Sequence, residues 1–130
     1  MDKTIKITIV RNGIRENAEF SLSQDPPCSI KFFIGGDFIY TAESDDFFSC
    51  LCILRRNFRN MTFLCKGAKR NVYPSRMARQ MAYGIKGYEF EMGRPATRGD
   101  LVSIFDHEEN DLVTPEEQET HFQEWLSSFL

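Results

Sequence analysis

The chain predicts an α+β fold, a mainly antiparallel sheet made of an N-terminal four-stranded meander plus further strands, with about three helices packed against it. Three observations carry this expectation. Apolar residues alternate at a strand's period of two through the first third. The period then changes to the helical value of about 3.6. Residues 114–130 open with a strong helix-start signal. The 130 residues suit one domain, residues 1–130, and 42% apolar content with 12 Phe is enough to offset the ordering entropy of a compact fold.

In TIKITIVR, residues 4–11, Ile5, Ile7 and Ile9 share one face, and Asn12-Gly13 supplies the left-handed turn of a hairpin. AEFSLS, residues 18–23, resumes the alternation with Ala18, Phe20 and Leu22. QDPP, residues 24–27, is a stiff connection because proline fixes φ and donates no hydrogen bond. SIKFFI and DFIYTA flank Gly35-Gly36 as a second hairpin. A helix follows, with Ser44 as expected N-cap, Phe47, Phe48, Leu51, Leu54 and Phe58 on one face, and Arg55, Arg56 and Arg59 complementing the dipole in the last turn.

MTFLC, residues 61–65, reads as a short strand leading into LCKGAKRNVYPSRMARQM, residues 64–81. There Ser75 caps a helix of about two turns, closed by Gly84, with Leu64, Val72, Met77 and Met81 expected inward and the cations outward. GYEFEM, residues 87–92, places Tyr88, Phe90 and Met92 on one side, and LVSIF, residues 101–105, is a further apolar strand. In the last helix Thr114 caps, Pro115 takes the first position and Glu117 closes a capping box, with Phe122, Trp125, Leu126 and Phe129 as the buried stripe. The expected order is ββββαβαββα.

Charge is unevenly placed. Residues 1–43, 44–105 and 106–130 carry net charges of −1, +6 and −8, which make up the overall −3, and the last segment holds no Lys or Arg. Such asymmetry allows the halves to neutralise each other on folding, the basic region to meet an anion, or the acidic tail to meet a basic partner.

The basic stretch invites two chemical readings. A helix start preceded by Lys66, Lys69 and Arg70 has the ingredients of a phosphate site, but the second Gly-Lys-Ser/Thr of a nucleotide loop is missing. Lys66, Lys69, Arg70, Arg76, Arg79 and Lys86, interleaved with Tyr73, Tyr83 and Tyr88, would suit RNA, although the pI of about 5.4 is far from that of such binders. Catalysis finds little support: Cys28, Cys50, Cys52 and Cys65 all sit in or beside apolar runs, where a thiol stays protonated, and no HExxH or GxSxG pattern occurs. Cys50 and Cys52 lack the spacing of a zinc or redox pair, and DHEEND, residues 106–111, lacks the glycine and spacing of a calcium loop. No enzyme activity, metal, cofactor or small-molecule substrate is therefore expected. The N-terminus has no uninterrupted apolar run of a secretory signal, and nothing approaches the roughly 18 apolar residues of a membrane span, so a cytoplasmic protein without membrane contact is expected.

The pattern L-C-K-G-A-x-R-N-V-Y-P-S-x-M-x-R-x-M-x-x-G at residues 64–84, with D-L-V-S-I-F-D at 100–106 and E-E-Q-E-x-x-F-x-E-W-L at 116–126, resembles the bacterial immunity proteins encoded beside contact-dependent growth-inhibition and related polymorphic toxins. The resemblance spans about half of the chain. It implies a cytoplasmic, non-catalytic protein that binds a cognate toxin domain, often a nuclease, and masks its active site or substrate surface. It assigns no residue roles, because interfaces in such families diverge with the toxin. Charge instead nominates Asp106, His107, Glu108, Glu109, Asp111 and Glu116 as contacts for a basic nuclease, with Lys69, Arg70, Arg76 and Arg79 as a secondary contact. The alternative expectation is an RNA-binding or RNA-processing protein using residues 66–86.

Overall fold

The computed structural model describes residues 3–130. Its strands form two antiparallel sheets, and the α+β class expected from the sequence is what is found. The first sheet begins with β1 (Lys3–Arg11) and β2 (Ile14–Ser23), joined at Asn12 and Gly13, whose φ values of 53° and 74° are left-handed as the hairpin turn demands. β3 (Cys28–Ile34) and β4 (Asp37–Ser44) complete the meander, and β5 (Met61–Phe63) adds to the far side of β1, giving the order β4-β3-β2-β1-β5. Ile7 and Ile9, with Ala18, Phe20 and Leu22 opposite, are buried on one face, as the period-two pattern requires.

α1 (Phe47–Asn57) covers that face with Phe47, Phe48, Leu51 and Leu54, each at most 2% exposed. Its cap is Asp46, whose Oδ1 accepts the Ser49 N–H at 2.8 Å, and the expected Ser44 cap is corrected. Ser44 is still paired with Cys28 as the last residue of β4, so the helix starts two residues later.

The second sheet, β6-β7-β8, consists of β6 (Val72–Tyr73), β7 (Lys86–Glu89) and β8 (Leu101–Ser103). β6 is absent from the expected order, since two residues between Asn71 and Pro74 leave no periodicity to read. Phe90 is buried beyond β7, but Met92 is 51% exposed and does not share its side.

α2 (Arg76–Met81) is capped by Ser75 and followed by Gly84 at φ 66°, as expected. Its inward residue is not methionine. Arg79 lies 5.1 Å from the Phe48 ring centroid and 5.2 Å from that of Tyr73, and donates to Ser49 Oγ at 3.0 Å. Met77 and Met81, each about 200° around the helix from Arg79, therefore point outward at 72% and 79% exposure, which corrects the expectation that they face the core.

α3 (Pro115–Ser128) has the full capping box at Thr114 and Glu117. Its aromatic stripe closes the second sheet: Phe122 stacks on Tyr73 at 4.0 Å, and Trp125 stacks on Phe90 at 4.5 Å and donates to the Arg94 carbonyl at 2.8 Å. The stripe begins one turn earlier than expected, at Gln118, which is fully buried.

Between the sheets, residues 64–70 run beside 104–113. The Lys66 N–H donates to the Asp106 carbonyl at 2.8 Å, the Gly67 N–H to Ile104 at 2.7 Å and the Val113 N–H to Ala68 at 3.0 Å. Gly67 fits because a Cβ there would lie 2.5 Å from Leu51 Cδ2 and 3.0 Å from the Ile104 carbonyl oxygen. Within the stretch that carries the family resemblance, Leu64, Cys65, Gly67, Ala68 and Val72 are thus core residues of this joint. Among the described residues, no helix is long and apolar enough to cross a membrane.

Candidate functional site

The six residues nominated by charge fall along the 104–113 strap and the start of α3, and the fold takes up most of their charge. Glu108, 9% exposed, accepts from Lys66 Nζ at 3.1 Å, and Lys69 Nζ lies 3.2 Å away. Both lysines also reach Glu89, at 3.2 Å and 2.7 Å, closing a four-membered cluster. The Asn110 N–H donates to the Glu108 carboxylate and, with the two lysines, holds its pKa down to about 2 despite burial. At Glu89 burial acts upward, but the bonds from Lys69 and Lys66 outweigh it and the pKa is lowered.

Glu109 pairs with Arg15 and lies 2.9 Å from His107 Nε2, and Arg15 first, then His107, lowers its pKa to about 2. Asp111, at φ 56°, accepts from Arg70 Nε at 3.1 Å. Glu116 accepts from Arg59 Nη1 and Nη2 at 2.8 and 3.0 Å and from Arg56 Nε at 3.4 Å, and the Arg59 bonds lead in lowering its pKa to about 2. Asp106 and His107 remain exposed, and Asp106 has no ion-pair partner among the described residues. So the first of the three charge readings, mutual neutralisation, is realised in detail by contacts between the basic middle and the acidic tail up to 60 residues apart.

The secondary cations are similarly engaged. Lys69 is in the cluster, Arg70 is on Asp111, and Arg79 lies 3.4 Å from Asp46. Only Arg76 of the four projects without a carboxylate among the described residues.

A pH dependence follows from Glu108. Its folded pKa of about 2 lies below the ordinary 4.5, so its contribution to stability is complete above about 4.5 and is lost as pH falls toward about 2. Glu108→Gln is expected to be less stable than the parent at pH 7, with the gap closing between pH 4.5 and 2. Urea melts at pH 7, 4 and 3 check this, and a gap that stays constant contradicts it.

Beneath the strap lies a polar hub made of residues that charge did not nominate. Arg55, 6% exposed, donates Nη1 to Gln118 Oε1 at 2.7 Å and to the Gly67 carbonyl at 3.2 Å, and Nη2 to Val113 at 2.6 Å. The Gln118 amide nitrogen is 2.9 Å from the carbonyl oxygens of Gly67, Lys69 and Val72, more acceptors than its two N–H groups serve at once. Burial lowers the Arg55 pKa, and no carboxylate touches the guanidinium among the described residues. Arg55 thus ties α1 to α3 and the joint, beyond the dipole role its position suggests.

The four cysteines are buried free thiols, as expected, and burial pushes Cys50 and Cys65 up to about 12.

The acidic surface that is not consumed lies elsewhere. α3 exposes Glu119, Gln123 and Glu124 outward, and Glu124 Oε1 lies 3.6 Å from His121 Nδ1. A groove of about 380 Å³ bordered by Ser44, Phe48, Ile53, Arg56, Arg79 and Glu119 joins this face to the end of β4, where Glu43 and Asp45 are exposed. The arginines of the groove are already paired, Arg56 with Glu116 and Arg79 with Asp46. Glu43 and Asp45 were not nominated, because nothing local in the sequence brings β4 to α3. No family model matches the chain, and no curated protein matches its sequence.

Proposed function

We propose that this protein is an immunity protein that binds a cognate toxin domain, a nuclease with a basic surface, and neutralises it by covering its active site or substrate surface. The observation that carries the reading is the outer face of α3: Glu119, Gln123 and Glu124 point to solvent on a segment that contains no Lys or Arg. Fixed carboxylates on a rigid helix steer a basic partner and hold its register. Glu43 and Asp45 are exposed at the end of β4, where Ser44 borders the groove, and add to the acidic surface. The resemblance of residues 64–84 to immunity proteins motivates the same reading, and because Leu64, Cys65, Ala68 and Val72 are buried it leaves the surface free to vary with a toxin.

The RNA-binding alternative loses most of its cations. Lys66, Lys69, Arg70 and Arg79 are held by carboxylates, leaving Arg76 and Lys86.

Co-expression with the C-terminal domain of the protein encoded by the adjacent upstream gene tests the proposal. A complex that survives purification at about 0.15 M salt is expected, and two proteins that elute separately at micromolar concentration would contradict it.

A further inference from the structure

The five-stranded sheet has two unlike edges. At one, β5 is three residues long, and the ladder continues only through the Leu64 N–H donated to Thr8 at 2.9 Å. The other edge is β4, eight residues long, and the backbone of residues 37–43 bonds to β3 and to nothing else among the described residues. Such an edge presents a row of unpaired N–H and C=O groups, which folded proteins guard with Lys, Pro or a bulge. β4 contains neither Lys nor Pro. It has one irregularity: Phe32 pairs with Tyr40 and Phe33 with Phe38, leaving Ile39 unopposed near one end and Tyr40–Ser44 regular.

The side chains along this edge add chemistry to the ladder. Phe38 is 59% exposed and packs edge-on against Phe33 at 5.8 Å, and Ile39 is 36% exposed. Asp37, Glu43 and Asp45 are exposed along or just past the strand and have no ion-pair partner among the described residues, whereas neighbouring Asp46 is taken by Arg79. The one cation on the adjoining strand is Lys31, opposite Thr41.

We propose that β4 is a strand-docking edge that accepts a basic, extended segment of the toxin domain, which adds to the sheet beside Tyr40–Ser44 while its cations meet Asp37, Glu43 and Asp45. The inference rests on the toxin-binding reading and assigns it a second contact, continuous with the α3 face through the groove that Ser44 and Glu119 border. Main-chain pairing supplies affinity in this mode, and the acids select a basic strand over a neutral or acidic one.

Amide hydrogen exchange on the full chain tests it with two probes, the adjacent gene's toxin domain and a ten-residue peptide alternating lysine with valine, with a glutamate-valine peptide as control. Slowed exchange across residues 37–44 is expected with the toxin and with the Lys-Val peptide, but not with the Glu-Val peptide. The doubly substituted Phe38→Ser, Glu43→Lys chain is expected to bind the toxin at least tenfold more weakly, with an unchanged thermal melt showing that the fold survives. Toxin binding without protection of 37–44 overturns the edge proposal and leaves the function standing. Protection by the Lys-Val peptide with no toxin binding overturns the function and leaves the edge. Protection that grows with protein concentration alone identifies a second copy as the occupant and overturns the proposal.

Discussion

Replacing Gln118 by leucine is expected to lower the stability of the fold by about 2–3 kcal/mol, the upper part of the range for leaving buried hydrogen-bonding groups unsatisfied. Leucine matches glutamine in size, so packing is nearly conserved and the loss reports the hydrogen bonds. Arg55 would keep Gly67 and Val113 but lose its shortest Nη1 contact, and the carbonyls of Gly67, Lys69 and Val72 would lose their shared donor. None of these groups reaches water easily, since Gln118 is fully buried and Arg55 is 6% exposed. Urea unfolding measures the effect, and a loss under about 1 kcal/mol would mean that water or rearrangement satisfies the hub.

Reversing two exposed charges of α3 that no Lys or Arg holds, Glu119→Lys with Glu124→Lys, is expected to slow association with the toxin domain by one to two orders of magnitude at low salt. The parent protein's on-rate is expected to fall as salt rises, while that of the reversed protein changes little or rises. Neither residue contributes to a cap or an ion pair with Lys or Arg, so the melt is expected to hold. The same reversal at Glu116 would not be clean, because Glu116 closes the Arg56 and Arg59 bonds. Stopped-flow association rates distinguish the cases, and equal on-rates for parent and variant would remove α3 from the docking surface.

Much of the fold was legible because its signals are local. The first two hairpins are written in alternation and in Asn12-Gly13, α1 in its apolar face, and α3 in a cap and box within four residues. The errors arise where a distant partner decides. Strand pairing with Cys28 keeps Ser44 out of the helix, and the Phe48 and Tyr73 rings draw Arg79 inward at the expense of Met77 and Met81. Gln118 could have been found: it continues the spacing of Phe122, Trp125 and Phe129, and a polar residue on a buried stripe signals a buried partner. The charge census showed that a basic middle faces an acidic tail, but not that Glu108 belongs to Lys66 and Lys69 while Glu119 belongs to none. That distinction depends on the register of residues 64–70 against 104–113, which no periodicity encodes. The acidic segment nominated from sequence is therefore largely a clasp, and the acids left for a partner are on α3 and at the end of β4.

The most direct measurement of the central proposal is the nuclease activity of the adjacent gene's toxin domain titrated with this protein. Activity is expected to fall linearly and vanish near one equivalent, with the Glu119→Lys, Glu124→Lys chain needing a clear excess at the same toxin concentration. Full nuclease activity at a severalfold excess of the parent protein would contradict the account.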